Sequence, residues 1–148
     1  MPYIRPVDVT DIISMAPRLR DADKQEILAS SGSNPLDALR FAVASSHEVW
    51  VGCDDEGPQA IYGVMRLSTG EGSVWLLGTD RLKLHVKFFL RESRRWLKEK
   101  EPEYPVLRAL IDSRNTLHLR WCAWCGFLAT GNKYRLKNPS VDFIEIVR

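Results

Sequence analysis

The residues best equipped for chemistry are gathered between Asn115 and Phe127, in NTLHLRWCAWCGF. On a helix, His118, Cys122 and Cys125 stand at i, i+4 and i+7 and share a face, where an imidazole and two thiolates can bind zinc. The Cys-x-x-Cys by itself can also serve as a redox pair. Neither use is well supported. No second cluster of Cys or His completes a metal site, since Cys53 and His85 are isolated. Redox pairs favour a helix N-terminus, where the dipole stabilises the thiolate; this pair ends its helix, where the dipole opposes it. The pattern predicts buried structural thiols, and no metal is expected.

Periodicity and capping predict the elements that must position these residues. Tyr3 to Val7 reads as a first strand, with Pro6 near its end. Thr10 or Asp11 caps a helix through Ile12, Met15 and Leu19 that Pro17 breaks, and Asp21 to Ser30 forms a second helix. Asn34 caps a third, with Leu36, Leu39, Phe41 and Val43 facing inward. The period then shortens to two. Glu48 to Cys53, Ala60 to Leu67 and Ser73 to Leu77 are strands of an antiparallel meander. Thr79 or Asp80 caps the longest helix, Arg81 to about Lys100, whose Leu82, Val86, Phe89, Leu90 and Leu97 form one apolar stripe. Val106 to Ile111 is a buried strand, Asn115 to Cys125 a last helix, and Leu128 to Leu136 with Val141 to Val147 a closing hairpin. A long helix between two strands makes a parallel crossover. The expected architecture is α/β: a mixed central sheet of about six to seven strands, helices on both faces, in one domain over residues 1–148.

Composition narrows the class further. Hydrophobic residues make up 45% and charged residues 27% of 148, as in a folded globular chain rather than a disordered one. The net charge of +2 requires no nucleic-acid or membrane partner, and three cysteines, an odd number, fit a reducing compartment. The N-terminus lacks the basic start and apolar run of a signal peptide, and charge interrupts every apolar stretch, so no membrane insertion is expected.

This order of elements, with Asn115 followed eleven positions later by Gly126-Phe127, resembles the GNAT acetyltransferase fold over nearly the whole chain. Asn115 can cap the helix, Gly126 can take the left-handed conformation that ends it, and Phe127 can start a strand packed on the core. A narrower likeness rests on Arg20-Asp21 with Glu26-Ile27, Ser46 to Trp50, Trp75-Leu76-Leu77-Gly78-Thr79, and Asn115 with Arg120-Trp121. These are similar to the small GNAT-like virion and morphogenesis proteins of tailed bacteriophages. That resemblance implies an assembly protein, partnered by other phage structural proteins, in the host cytoplasm and associated with the virion.

The resemblance also states what catalysis would require. GNAT enzymes hold the acetyl-CoA pyrophosphate on backbone N–H groups between the fourth strand and the long helix, within the pattern Arg or Gln, two residues, Gly, one residue, then Gly or Ala. Here the stretch Gly78-Thr79-Asp80-Arg81-Leu82 has no glycine after Gly78, and Asp80 places a carboxylate where phosphates would sit. A Tyr often stands seven residues after the capping Asn to protonate the leaving thiolate; Cys122 holds that position, and Tyr134 is the only nearby phenol. The sequence therefore predicts a retained scaffold that binds proteins, without catalysis and with no cofactor. The alternative is an active acetyl-CoA-dependent N-acetyltransferase acting on a small amine or host protein. Gly78 to Leu82 and Asn115 would then hold the cofactor, and Cys122 or Tyr134 would act as acid.

One further feature stands apart from that site. Lys87, Arg91, Arg94 and Lys98 follow i, i+4, i+7 and i+11 along the long helix, forming a positive stripe opposite the apolar one. It is either a solvated face or a seat for an anionic partner, with Trp96 beside it as an interface anchor.

Overall fold

Alternation along the strands decides which side chains meet. Along Glu48–Asp54, every second residue (Val49, Val51, Cys53) is buried against one layer of helices. The neighbouring strand Gly57–Ser68 is buried continuously from Gln59 to Val64, as a central strand covered on both faces must be. Its Ile61 joins one core, and its Tyr62 and Val64 join the other.

The computed structural model describes Met1–Arg148. Its strands are β1 (Tyr3–Pro6), β2 (Glu48–Asp54), β3 (Gly57–Ser68), β4 (Glu71–Gly78), β5 (Val106–Asp112), β6 (Leu128–Arg135) and β7 (Asp142–Val147). Its helices are α1 (Val9–Met15), α2 (Asp21–Ser31), α3 (Pro35–Ser45), α4 (Val86–Lys100) and α5 (Thr116–Trp124). The strands form a seven-stranded mixed sheet in the order β1-β2-β3-β4-β5-β7-β6. Only β4 and β5 pair in parallel, joined by the α4 crossover. Helices α1 and α3 cover one face, with Ile12, Met15 and Leu39 against Val51, Ile61 and Leu77. Helices α4 and α5 cover the other, with Phe89, Leu97 and Trp121 against Val64, Leu107 and Ile111. No helix is long and apolar enough to cross a membrane.

Four expectations change in the structure. Helix α1 is capped by Asp8, not by Thr10 or Asp11; Asp8 accepts from the Thr10 N–H at 3.0 Å while Asp11 reaches back to the Asp8 N–H at 2.7 Å, a reciprocal capping box. Helix α4 begins at Val86 rather than Arg81, because Asp80–His85 is a 3-10 segment. Asp54 holds that segment through Arg81 at 2.8 Å and His85 at 3.3 Å. Phe41 is 68% exposed instead of packed inward, and stands at the rim of a cleft described below. Finally, Asn115 precedes α5 but its side chain makes no cap bond, being engaged elsewhere. Gly126 does take the left-handed conformation at φ 95°, and Phe127 behind it is buried.

Candidate functional site

The centre of the sheet comes apart. Strands β4 and β5 pair only at Glu71↔Val106, Gly72↔Leu107 and Ser73↔Arg108, then diverge. Gly72 lets them close at that joint, since an added Cβ would lie 2.7 Å from Val64 and 2.9 Å from Tyr104. At the far end Gly78 turns its N–H and carbonyl away from β3, onto Asp23 and Arg20. By the two-residue period of a strand, Leu76 faces the same way, into a gap where β5 no longer pairs.

Polar groups from α2 fill the mouth of that gap. Asp23 accepts the Gly78 N–H at 3.0 Å, and three residues on, Glu26 accepts the Asp112 N–H at 2.8 Å. Spaced i, i+3, the two carboxylates share one helix face and bridge the separated ends of β4 and β5. The Arg20 guanidinium donates to Asp23 at 2.8 Å and to Asn115 at 3.0 Å, and Asn115 donates back to Asp23 at 2.9 Å. Arg20, Asp23 and Asn115 are all buried, so the two charges survive only because they pair with each other and the amide only because it is hydrogen-bonded to both.

His118, from α5, stands in the gap behind them. It is buried, its Nδ1 has no hydrogen-bond partner, and Glu26 lies 3.7 Å away. Burial opposes charging of the ring, but Cys122 on the next turn and the Glu26 carboxylate outweigh it and hold the pKa well above the ordinary histidine value. The two sides of the gap differ greatly in room. On the α2/α3 side lies a cleft of about 610 Å³, bordered by Glu26, Asp37, Phe41, Trp75, Leu110 and His118. On the α4/α5 side the space among Arg20, Asp23, Gly78, His118 and Trp121 is about 10 Å³, no more than one water needs.

The expected cofactor turn lies at the closed side. The Gly78 N–H is taken by Asp23, the Thr79 N–H by the Gln59 carbonyl at 2.9 Å, the Arg81 N–H by the Thr79 hydroxyl at 3.3 Å and the Leu82 N–H by the Thr79 carbonyl at 3.1 Å. Gly78 is required by packing, since an added Cβ would overlap Leu82 Cδ1. Arg81 is turned back onto Asp54 and Glu56, and Asp80 is exposed. A diphosphate needs free amides and a close backbone approach. Four of the five amides from Gly78 to Leu82 are thus engaged within the protein, which leaves the turn, as folded, poorly matched to a diphosphate.

The other expected residues are scattered. Cys122 is buried beside His118 and borders a separate apolar cavity of about 40 Å³. Cys125 is pushed up to about 12 by burial, which keeps it a thiol. Tyr134 lies on β6, at the outer edge of the sheet, and does not border the cleft. Trp96 is not a surface anchor: it is buried edge-to-face on Tyr62 at 5.0 Å and donates to Glu48 at 2.7 Å. Lys87, Arg91, Arg94 and Lys98 are exposed along α4. Asp23, Glu26 and His118 come close enough to ligate one ion, but Arg20 and Asn115 already occupy Asp23. Sequence reasoning missed Asp23 altogether; its one signal was an acidic pair at i, i+3 following a lone arginine.

No family model matches the chain, and no curated protein matches it. Solved structures do. An acetyltransferase of the GNAT family from Streptococcus pneumoniae superposes with TM-score 0.67 at 13% identity, covering 100% of this chain and 98% of the other. A spermidine N-acetyltransferase from Vibrio cholerae, in complex with CoA and spermine, gives 0.68 at 12%, covering 99% and 94%. An aminoglycoside acetyltransferase in complex with coenzyme A and kanamycin gives 0.69 at 12%, covering 100% and 94%. At such identities what is shared is the fold, which is GNAT-like.

Proposed function

We propose that this chain uses a GNAT-like fold as a binding scaffold, with the seat for a thioester cofactor closed by its own side chains. The phage setting, as an assembly component among other structural proteins and carried with the virion, rests on the sequence resemblance alone. The bond from the Gly78 N–H to Asp23 carries the first part. It occupies the backbone donor at the end of β4, and the Arg20 and Asn115 groups behind it leave no passage along β4. Calorimetry with acetyl-CoA tests this: no heat of binding is expected up to millimolar cofactor. Micromolar binding would refute it.

A second reading is an acetyl-CoA-dependent N-acetyltransferase acting on a cationic amine. The named activities of the solved neighbours favour it. So does the parted β4/β5 edge, beside a cleft that carries Glu26 and Asp37 and no Lys or Arg. Under it, Asp23 would have to leave Gly78 before the turn could receive a phosphate, and Glu26 is the group placed to accept a proton from an amine in the cleft. Neither Tyr134, on the edge strand β6, nor Cys122 borders the cleft; Cys122, one helical turn from His118, is the acid this reading favours. Turnover of acetyl-CoA with a panel of polyamines and aminoglycosides would establish this reading; its absence across the panel leaves the scaffold.

A further inference from the structure

The chain's positive charges are not spread evenly. Of its fourteen arginines, ten pair with a carboxylate: Arg5, Arg20, Arg40, Arg66, Arg81, Arg95, Arg108, Arg114, Arg135 and Arg148. The four without one are Arg18, Arg91, Arg94 and Arg120, and Arg18 is spent on Gln59 and the Pro58 carbonyl. The remaining three stand together on the outer faces of α4 and α5, with Lys87 and Lys98 on the same stripe, also unpaired and exposed. The acidic residues of α4 do not offset them, because Arg95 takes both Glu92 and Glu99. By helix rise, Lys87 to Lys98 extends about 17 Å.

An aromatic lies in the middle of this face. Trp124 is 48% exposed, one turn beyond Arg120, and the Arg94 guanidinium sits 4.5 Å from its ring centroid. Unpaired cations in a row follow a phosphate backbone, and an exposed indole among them offers a surface for a base to stack on. An acidic protein surface would use the charges but would have no need of the ring.

We propose that the α4/α5 face, formed by Lys87, Arg91, Arg94, Lys98, Arg120 and Trp124, binds single-stranded nucleic acid through its phosphates and one stacked base. The charge complementarity is local: it needs none of the chain's small net charge of +2. The site is independent of the cleft and of any cofactor.

Fluorescence anisotropy with a labelled oligothymidylate of about 12 nucleotides tests it, since single-domain sites span about 4–16. Neutralising about four phosphates gives a log K against log salt slope near −3, so a fourfold rise in salt weakens binding about fiftyfold. Arg91→Glu with Arg94→Glu should abolish binding. Trp124→Ala should weaken it about tenfold through lost stacking. Lys133→Glu with Lys137→Glu, an equal charge change at exposed lysines elsewhere, should leave it unaltered. Circular dichroism checks that each variant is folded. Binding untouched by Trp124→Ala, equal loss from the Lys133/Lys137 variant, or tighter binding of polyglutamate than of the oligonucleotide each overturns the proposal, the last by assigning the face to an acidic protein.

Discussion

Replacing Asp23 with alanine probes the closed seat most directly. Asp23 is 2% exposed and accepts from Arg20 at 2.8 Å, Asn115 at 2.9 Å and Gly78 at 3.0 Å. Its removal strands a guanidinium that is 8% exposed, together with two N–H donors. Breaking a buried ion pair from one side costs about 3–5 kcal/mol. Each stranded donor costs about 1–3 kcal/mol. These overlap, since Arg20 keeps its bond to Asn115, so a total of about 4 kcal/mol is expected, against a usual stability of about 5–15. Asp23→Asn retains an acceptor for Gly78 and should cost less. Urea unfolding followed by tryptophan fluorescence measures both. The alanine variant should also acquire an anion site, because Arg20, the Gly78 N–H and Asn115 then face one vacated space. With a pyrophosphate Kd of about 1 mM, about 10 mM ligand would return about 1.4 kcal/mol to the variant and nothing to the wild type. A loss below about 1 kcal/mol on alanine substitution would refute the assigned role of this network.

Stability should fall on both sides of neutral pH. Burial resists ionisation of Asp11, Asp54 and Asp112. The Arg5 side chain for Asp11, the Glu56 N–H and Arg81 for Asp54, and Arg114 for Asp112 nevertheless hold these carboxyls below their usual range. A depressed carboxyl contributes stability above its unfolded pKa that is lost as pH falls through the folded one, so thermal midpoints should drop below about pH 4. His118 is raised, so its contribution is complete below about pH 6.5 and is lost as pH climbs through the folded value; His118→Gln should flatten that alkaline limb. Gly78→Ala should cost about 1–3 kcal/mol in urea by overlap with Leu82, without conferring CoA binding. Trp96→Phe should cost about 1 kcal/mol by losing its bond to Glu48, which keeps Lys100 and Trp50, and should leave oligonucleotide affinity unchanged.

The fold was legible where a period or a cap speaks for itself. The meander, the α4 crossover and the Gly126 stop all follow from local pattern. What local pattern could not place was the destination of polar side chains. Asn115 precedes a helix and so reads as a cap, but the buried Arg20–Asp23 pair is a stronger partner than α5's own N–H groups. Trp96 sits among basic residues in sequence, yet its helical position turns it onto Tyr62. Phe41 lies two residues beyond Leu39, off the line of Leu36, Leu39 and Val43, so the helix turns it outward to the rim of the cleft. The missing glycines after Gly78 were visible in the sequence. The carboxylate that takes their place came from a helix 55 residues away, which no spacing rule reaches.

The short β4/β5 ladder also has a mechanical meaning. Beyond Ser73 the two leaves of the sheet, β1 to β4 and β5 to β7, share no backbone bond, so Glu71–Ser73 is a spine and α2 a clasp. Asp23 grips one leaf at Gly78 and Glu26 the other at Asp112. A single event, the lifting of α2, therefore frees both amides at once, and two residues on different strands share one opening rate.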